Sequence, residues 1–216
     1  MRTAQQPQHT SILASLRSVI PRRADITVEE TLRIAELQAN KLLEQHGITR
    51  GATPTEIITE LPKIAIAYTS TLVAGASYWD SVRHIWVIQL CRSDSWRRRR
   101  FTLAHEYKHI IDHGRSADLY RGTEKVSTAT HAERAADYFA GCLLIPRRLL
   151  KRVWGEGIQR TDELAHLFHV SEQAIGVRLR QTGLIDDVTR HVRMEYPAPN
   201  RERTAFAPLT VEEFFR

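Results

Sequence analysis

Apolar residues recur at helical spacing from Val28 through Leu32, Ala35, Ala39 and Leu42, and Gly47 closes the run. Thr27 and Glu30 stand in front of it as a capping box. Thr53-Pro54-Thr55-Glu56 predicts a short helix with Pro54 at its first position. The pattern then turns extended. Strands are expected over 64–68, 76–79 and 85–90, with a turn near Asp80-Ser81 making the last two a hairpin. A lone hairpin is marginal, so the third strand is expected to join it in an antiparallel sheet. Ser93, Asp94 and Ser95 offer N-caps for a helix over about 95–113, with Gly114 just beyond its end. A second amphipathic helix covers 130–140 and stops at Pro146, and another covers 147–154. Gly155-Glu156-Gly157 marks a joint. After it, 161–168 and 171–180 read as two short helices across a tight turn, a helix-turn-helix-like unit. Strands grouped together among many helices predict an α+β fold, mostly helical. Four segments follow: a flexible 1–24, a main domain 25–155, the helical unit 156–185, and a charged tail 186–216.

The chemistry concentrates in His105-Glu106-Tyr107-Lys108-His109, an H-E-x-x-H pattern inside the 95–113 helix. Residues four apart share a helical face, so His105 and His109 can point at one ion. Two imidazoles suit Zn²⁺. Glu106 lies about 100° round the helix, where it can flank the metal and take a proton from metal-bound water. The plain alternative is a solvated helix face with two surface histidines. A catalytic site needs a third protein ligand. His113 shares the face of His109, but a rigid helix carries it about 6 Å too far for the same ion. Asp112 and Arg115 stand where the extended metzincin pattern needs Gly and His. Glu133 on the next helix is the better candidate, with Asp137 four residues on free to accept an N–H from a ligand histidine. The same two carboxylates are also what an ordinary acidic helix face would carry.

Arg100-Phe101-Thr102-Leu103-Ala104-His105-Glu106, then His109 and His113, then Glu133 to Pro146 (ERAADYFAGCLLIP), resemble the ImmA/IrrE-type metallopeptidases. Gly75-Ala76-Ser77-Tyr78-Trp79 and 85–88 are similar to that family's hairpin, and the resemblance covers roughly residues 27–185. It implies His105, His109 and Glu133 as zinc ligands and Glu106 as general base; Asp137 and His113 are expected as supporting groups behind the ligands. It also implies an intracellular endopeptidase whose protein substrate is a helix-turn-helix repressor or antitoxin-like partner. Tyr107-Lys108 departs from the family's usual Leu-Gly: Lys108 does not allow the close packing of a glycine and sets a long cation one residue from a ligand, with a stem able to snorkel outward. Asp137 stands where the family more often has Asn, and Asp is the better acceptor for an imidazole N–H. His113, His131 and Tyr138 are loose candidates for an oxyanion donor.

Composition adds less. The chain has 216 residues, 42% hydrophobic and 26% charged, as expected of a soluble globular protein with a real core. Cys91 and Cys142 suggest no disulfide framework and fit a reducing, cytoplasmic setting. No apolar run approaches the length of a membrane span, and no signal peptide is read at 10–20. The formal net charge of +6 hints at affinity for polyanions. Its densest run is Arg97-Arg98-Arg99-Arg100, either a partly salt-bridged helix face or a contact for DNA or an acidic partner. In the helix-turn-helix-like unit, Gln173, Arg178 and Arg180 are the candidates for DNA contact, against a reading in which the pair simply packs. Phe214 and Phe215 could dock on the body or on a partner. A second functional class therefore stands beside the peptidase: a DNA- or repressor-binding module with a structural or weakly active zinc site.

Overall fold

The structure, a computed structural model, describes residues 11–23, 25–70, 75–122 and 126–185. The elements run α1 (Ile12–Arg17), α2 (Val28–Gln45), α3 (Glu56–Thr59), β1 (Ile64–Thr69), β2 (Gly75–Asp80), β3 (Ile85–Cys91), α4 (Trp96–Asp112), α5 (Ser116–Leu119), α6 (Thr128–Leu144), α7 (Arg147–Gly155), α8 (Thr161–Phe168) and α9 (Glu172–Thr182). It is an α+β fold. The Thr27–Glu30 capping box forms at the head of α2, with both of its reciprocal hydrogen bonds made. α3 begins at Glu56, so Pro54 stands ahead of the N-cap Thr55 and not at the first helical position.

The sheet is mixed, not antiparallel. Its order is β1-β3-β2, with β1 parallel and β2 antiparallel to β3. The connection explains this. β1 and β2 lie on opposite edges of β3, about 10 Å apart. Five residues, 70–74, join Thr69 to Gly75. With β1 parallel to β3, the end of β1 and the start of β2 lie at the same end of the sheet, within easy reach. The antiparallel arrangement would demand about 20 Å along the sheet as well, near the limit for so short a link.

β3 is the buried central strand, and one face of the sheet lies against α4. α6 packs between α2 and α4. Ala135, Ala136 and Ala140 are fully buried, and these small side chains let the helix backbones come close. α1 falls inside the stretch read as flexible, yet Leu16 is fully buried and Arg17 donates to the carbonyls of Ile110 and Ile111 at the end of α4. Residues 1–10, Ala24 and the tail with Phe214 and Phe215 lie outside the described residues.

α8 and α9 share the main hydrophobic cluster through Leu164, Phe168, Val170, Ile175 and Leu179. Arg178 fastens α9 to the body. It is 2% exposed, its Nε donates to the Ile145 carbonyl at 3.1 Å, and its guanidinium lies 5.4 Å from the centre of the Tyr138 ring. Glu36 Oε1 of α2 stands 3.5 Å away. Arg178 is therefore not a DNA contact, whereas Gln173 and Arg180 are exposed.

Candidate metal centre

Two helices build the centre. On α4, capped by the Ser95 hydroxyl, the i, i+4 spacing sets His105 above His109 on the face turned to α6. On α6, capped by the Ser127 hydroxyl, Glu133 and Asp137 stand one turn apart. The short alanine-lined approach of the helices lets the carboxylates reach the imidazoles.

His105 Nε2 lies 3.1 Å from His109 Nε2 and 3.4 Å from Glu133 Oε2. His109 Nε2 lies 3.3 Å from Glu133 Oε1. Donors bound to zinc at about 2.0–2.1 Å stand about 3.3 Å apart in a tetrahedral shell. The contacts thus have the length of the edges of that shell, with Glu133 turning Oε2 to His105 and Oε1 to His109. Asp137 Oδ1 is 2.8 Å from His105 Nδ1, which assigns the ring proton to Nδ1 and turns the Nε2 lone pair toward the triangle. Imidazole nitrogens this close to one another and to a carboxylate share protons or a metal ion. The donor set fits a divalent metal, and His105, His109 and Glu133 together could hold one.

The electrostatics point the same way. Burial works against a charged His105, but the hydrogen bonds to Asp137 and Glu133 outweigh it and push its pKa up to about 9. Burial also penalises the Glu133 carboxylate, yet His105 and His109 hold it well below the usual carboxylate range. The pocket stabilises positive charge at this point. His105 is nearly enclosed, while the side chains of His109 and Glu133 are 27% and 34% exposed and that of Asp137 is 63% exposed.

Glu106, next to His105 on α4, carries its carboxylate to the sheet. It is 6% exposed, and the Ser77 hydroxyl donates to its Oε2 at 2.9 Å. Gly75, two residues earlier on the same face of β2, makes room for this contact. A Cβ there would stand 2.3 Å from Thr102 Cγ2 and 3.0 Å from Glu106 Oε1. Residue patterning assigned no role to Gly75 or Ser77. Only their alternation on one strand face hinted that both look the same way, and nothing tied that face to α4.

A family model for the IrrE N-terminal-like domain, a peptidase family, matches residues 60–180, more than half of the chain. The chain belongs to this family. No curated protein matches it. A Mycobacterium tuberculosis transcriptional regulator is similar in fold, with a TM-score of 0.54 at 16% sequence identity over 78% of this chain. The chain spans about half, 51%, of that protein.

Other expected site residues of this IrrE N-terminal-like domain lie elsewhere. His113 caps α4 and sets its ring edge-on to Trp86, 4.8 Å between centroids, instead of standing behind the ligand histidines. His131 lines a small cavity with Ile26, Thr31 and Leu119. Tyr138 is taken up by Arg178. Lys108 turns inward. It is fully buried, with Nζ 2.5 Å from both carboxylate oxygens of Asp112, and the Tyr120 hydroxyl donates to Asp112 Oδ2. At the position of the family's usual glycine this chain carries Lys108, which forms a buried cluster with Asp112 of the same helix and Tyr120.

Proposed function

We propose that the protein is a zinc-dependent endopeptidase that cleaves an intracellular regulatory protein of the helix-turn-helix repressor or antitoxin-like class. The observation that carries this is the triangle of His105, His109 and Glu133 donors with Glu106 beside it on the same helix. Bound there, zinc would supply Lewis acidity toward the scissile carbonyl and lower the pKa of water. Asp137 keeps His105 in the ligating tautomer. Glu106 accepts the proton of the attacking water and delivers it to the leaving amine. Ser77 occupies Oε2, so Oε1 is the oxygen left for that proton. The regulatory substrate is supported by family membership and by a structural neighbour that is a transcriptional regulator.

The test is bound zinc per chain, followed by cleavage of candidate repressors. Wild type should hold close to one zinc and Glu133→Ala should lose it. Glu106→Gln should keep zinc and fold but lose cleavage. A folded wild type that takes up no zinc refutes the reading. Function that survives Glu106→Gln unchanged shifts it to the binding module with a structural zinc site.

A further inference from the structure

A groove of about 280 Å³ opens where α7, α8 and the loop after α2 meet, on residues that the metal centre does not use. Leu149 and Val153 of α7 and Leu167 and Phe168 of α8 line it, and Val153 and Leu167 are only partly buried. Gly51 lies at its edge, where an added Cβ would meet nothing within 4 Å, so that edge is open. Small-molecule pockets run from about 300 to 1,000 Å³, so this groove admits one or two side chains of a peptide and not a folded partner.

Its rim is charged, and the charges have an order. Arg148, Arg152 and Glu156 follow one another at four-residue spacing along α7 and its C-cap, so they form one ridge. Arg152 donates to the carbonyl of Thr49 and so holds the neighbouring Arg50 beside the groove. Arg50, Arg148 and Arg152 form no close ion pair with a carboxylate among the described residues. The groove thus carries unneutralised cations toward one end of α7 and a carboxylate at the other. Residues 209–216, Leu-Thr-Val-Glu-Glu-Phe-Phe-Arg, have the complementary order: two carboxylates, two phenyl rings and a guanidinium. No other stretch of the chain sets two carboxylates directly beside two aromatic residues.

We propose that residues 209–216 dock in this groove of their own chain. A phenyl ring of the Phe214-Phe215 pair enters between Val153 and Leu167. Glu212 and Glu213 pair with Arg152 and Arg50, and Arg216 pairs with Glu156. The link imposes no obstacle. Leu184 and Ile185 pack on the same cluster as α7 and α8, and residues 186–211 reach up to about 85 Å from there. A bare polyanion would meet Glu156 and leave the apolar walls unused. An acidic and aromatic segment of another protein has the same chemistry, but tethering supplies this one at about millimolar local concentration. None of these residues belongs to the metal centre, so the docking does not depend on the peptidase reading.

Fluorescence anisotropy with a labelled peptide of residues 207–216 tests this on the full chain, wild type beside Phe214→Ser with Phe215→Ser. The double variant no longer fills its own groove. It should bind the peptide at least about tenfold more tightly than wild type, whose tethered segment competes. Adding Arg50→Glu should weaken the peptide at least about fivefold, and a peptide carrying Glu212→Lys and Glu213→Lys should recover the loss. Arg50 is exposed, and melting temperatures close to those of the double variant show that the body is unchanged. If Arg50→Glu loses stability, peptides with Glu212→Gln and Glu213→Gln, tested on the double variant, decide without altering the body. No binding of the peptide to the double variant overturns the proposal. So does equal affinity for wild type and double variant, or affinity indifferent to the charge changes. A wild type that dimerises with concentration in light scattering, while the double variant stays monomeric, places the segment on a second copy and overturns it too.

Discussion

Replacing Lys108 by Met should destabilise the protein severely although the residue touches no ligand atom. Lys108 is fully buried and Asp112 is 2% exposed. Their contacts of 2.5 Å leave Asp112 dependent on Lys108 and on the Tyr120 hydroxyl for its charge. Burial pulls the Lys108 pKa down, and Asp112 opposes that pull. Burial and Asp112 together raise the Tyr120 pKa, so its hydroxyl keeps its proton and donates. Removing one partner of a buried pair costs about 3–5 kcal/mol, because the other charge is stranded away from water. For a chain of this size each kcal/mol lowers Tm by about 2–4 °C, which gives a loss of about 6–20 °C. Replacing all three groups with apolar ones, as Lys108→Met, Asp112→Leu and Tyr120→Phe, should recover most of the loss, since no charge or hydroxyl is then stranded. Urea denaturation and calorimetry at fixed zinc concentration measure both. A single-variant loss under about 1 kcal/mol, or a triple variant no better than the single, refutes a charge-neutralising role for the cluster.

Gly75→Ala should cost about 1–3 kcal/mol, because its Cβ must push aside Thr102 Cγ2 and crowd Glu106. Zinc content should stay unchanged while cleavage falls about a hundredfold, the penalty of a roughly 1 Å misplacement; metal analysis and a cleavage assay separate the two. Asp137→Ala should weaken zinc binding about 10- to 100-fold in a chelator competition, since His105 loses the acceptor at 2.8 Å that orients its ring. Arg178→Met should cost about 2–4 kcal/mol by freeing the Ile145 carbonyl and stranding Glu36, and it should speed proteolysis at α8–α9; an unchanged digestion pattern would show that α9 is held by its apolar contacts alone.

Local signals were enough to read α4 and α6 and to set His105 and His109 on one helical face. The capping residues Thr27 and Ser95, the i, i+4 spacing of His105 and His109, and the strand alternation of β2 and β3 are all properties of a few neighbouring residues, and backbone geometry acts on them directly. Glu133 could be named as a candidate because it, too, sits on a well-marked helix. What spacing left open was whether α6 comes within reach of α4, and the alanine contacts between helices decided that. The contact of Ser77 and Gly75 with Glu106 was hidden for the same reason: 29 residues separate Ser77 from Glu106, and only the packing of β2 on α4 joins them. Lys108 and Arg178 show the limit most plainly. Each is a cation that sequence alone places in solvent, and each is buried because a carboxylate or carbonyl from across the fold meets it there. The direction of β1 belongs to the same class, set by the short 70–74 link and not by any residue within the strand. Periodicity, caps and spacing act through the chain's nearest neighbours and survive in the sequence. Charge pairing and close approach act between segments far apart in the chain, so only the folded protein decides them.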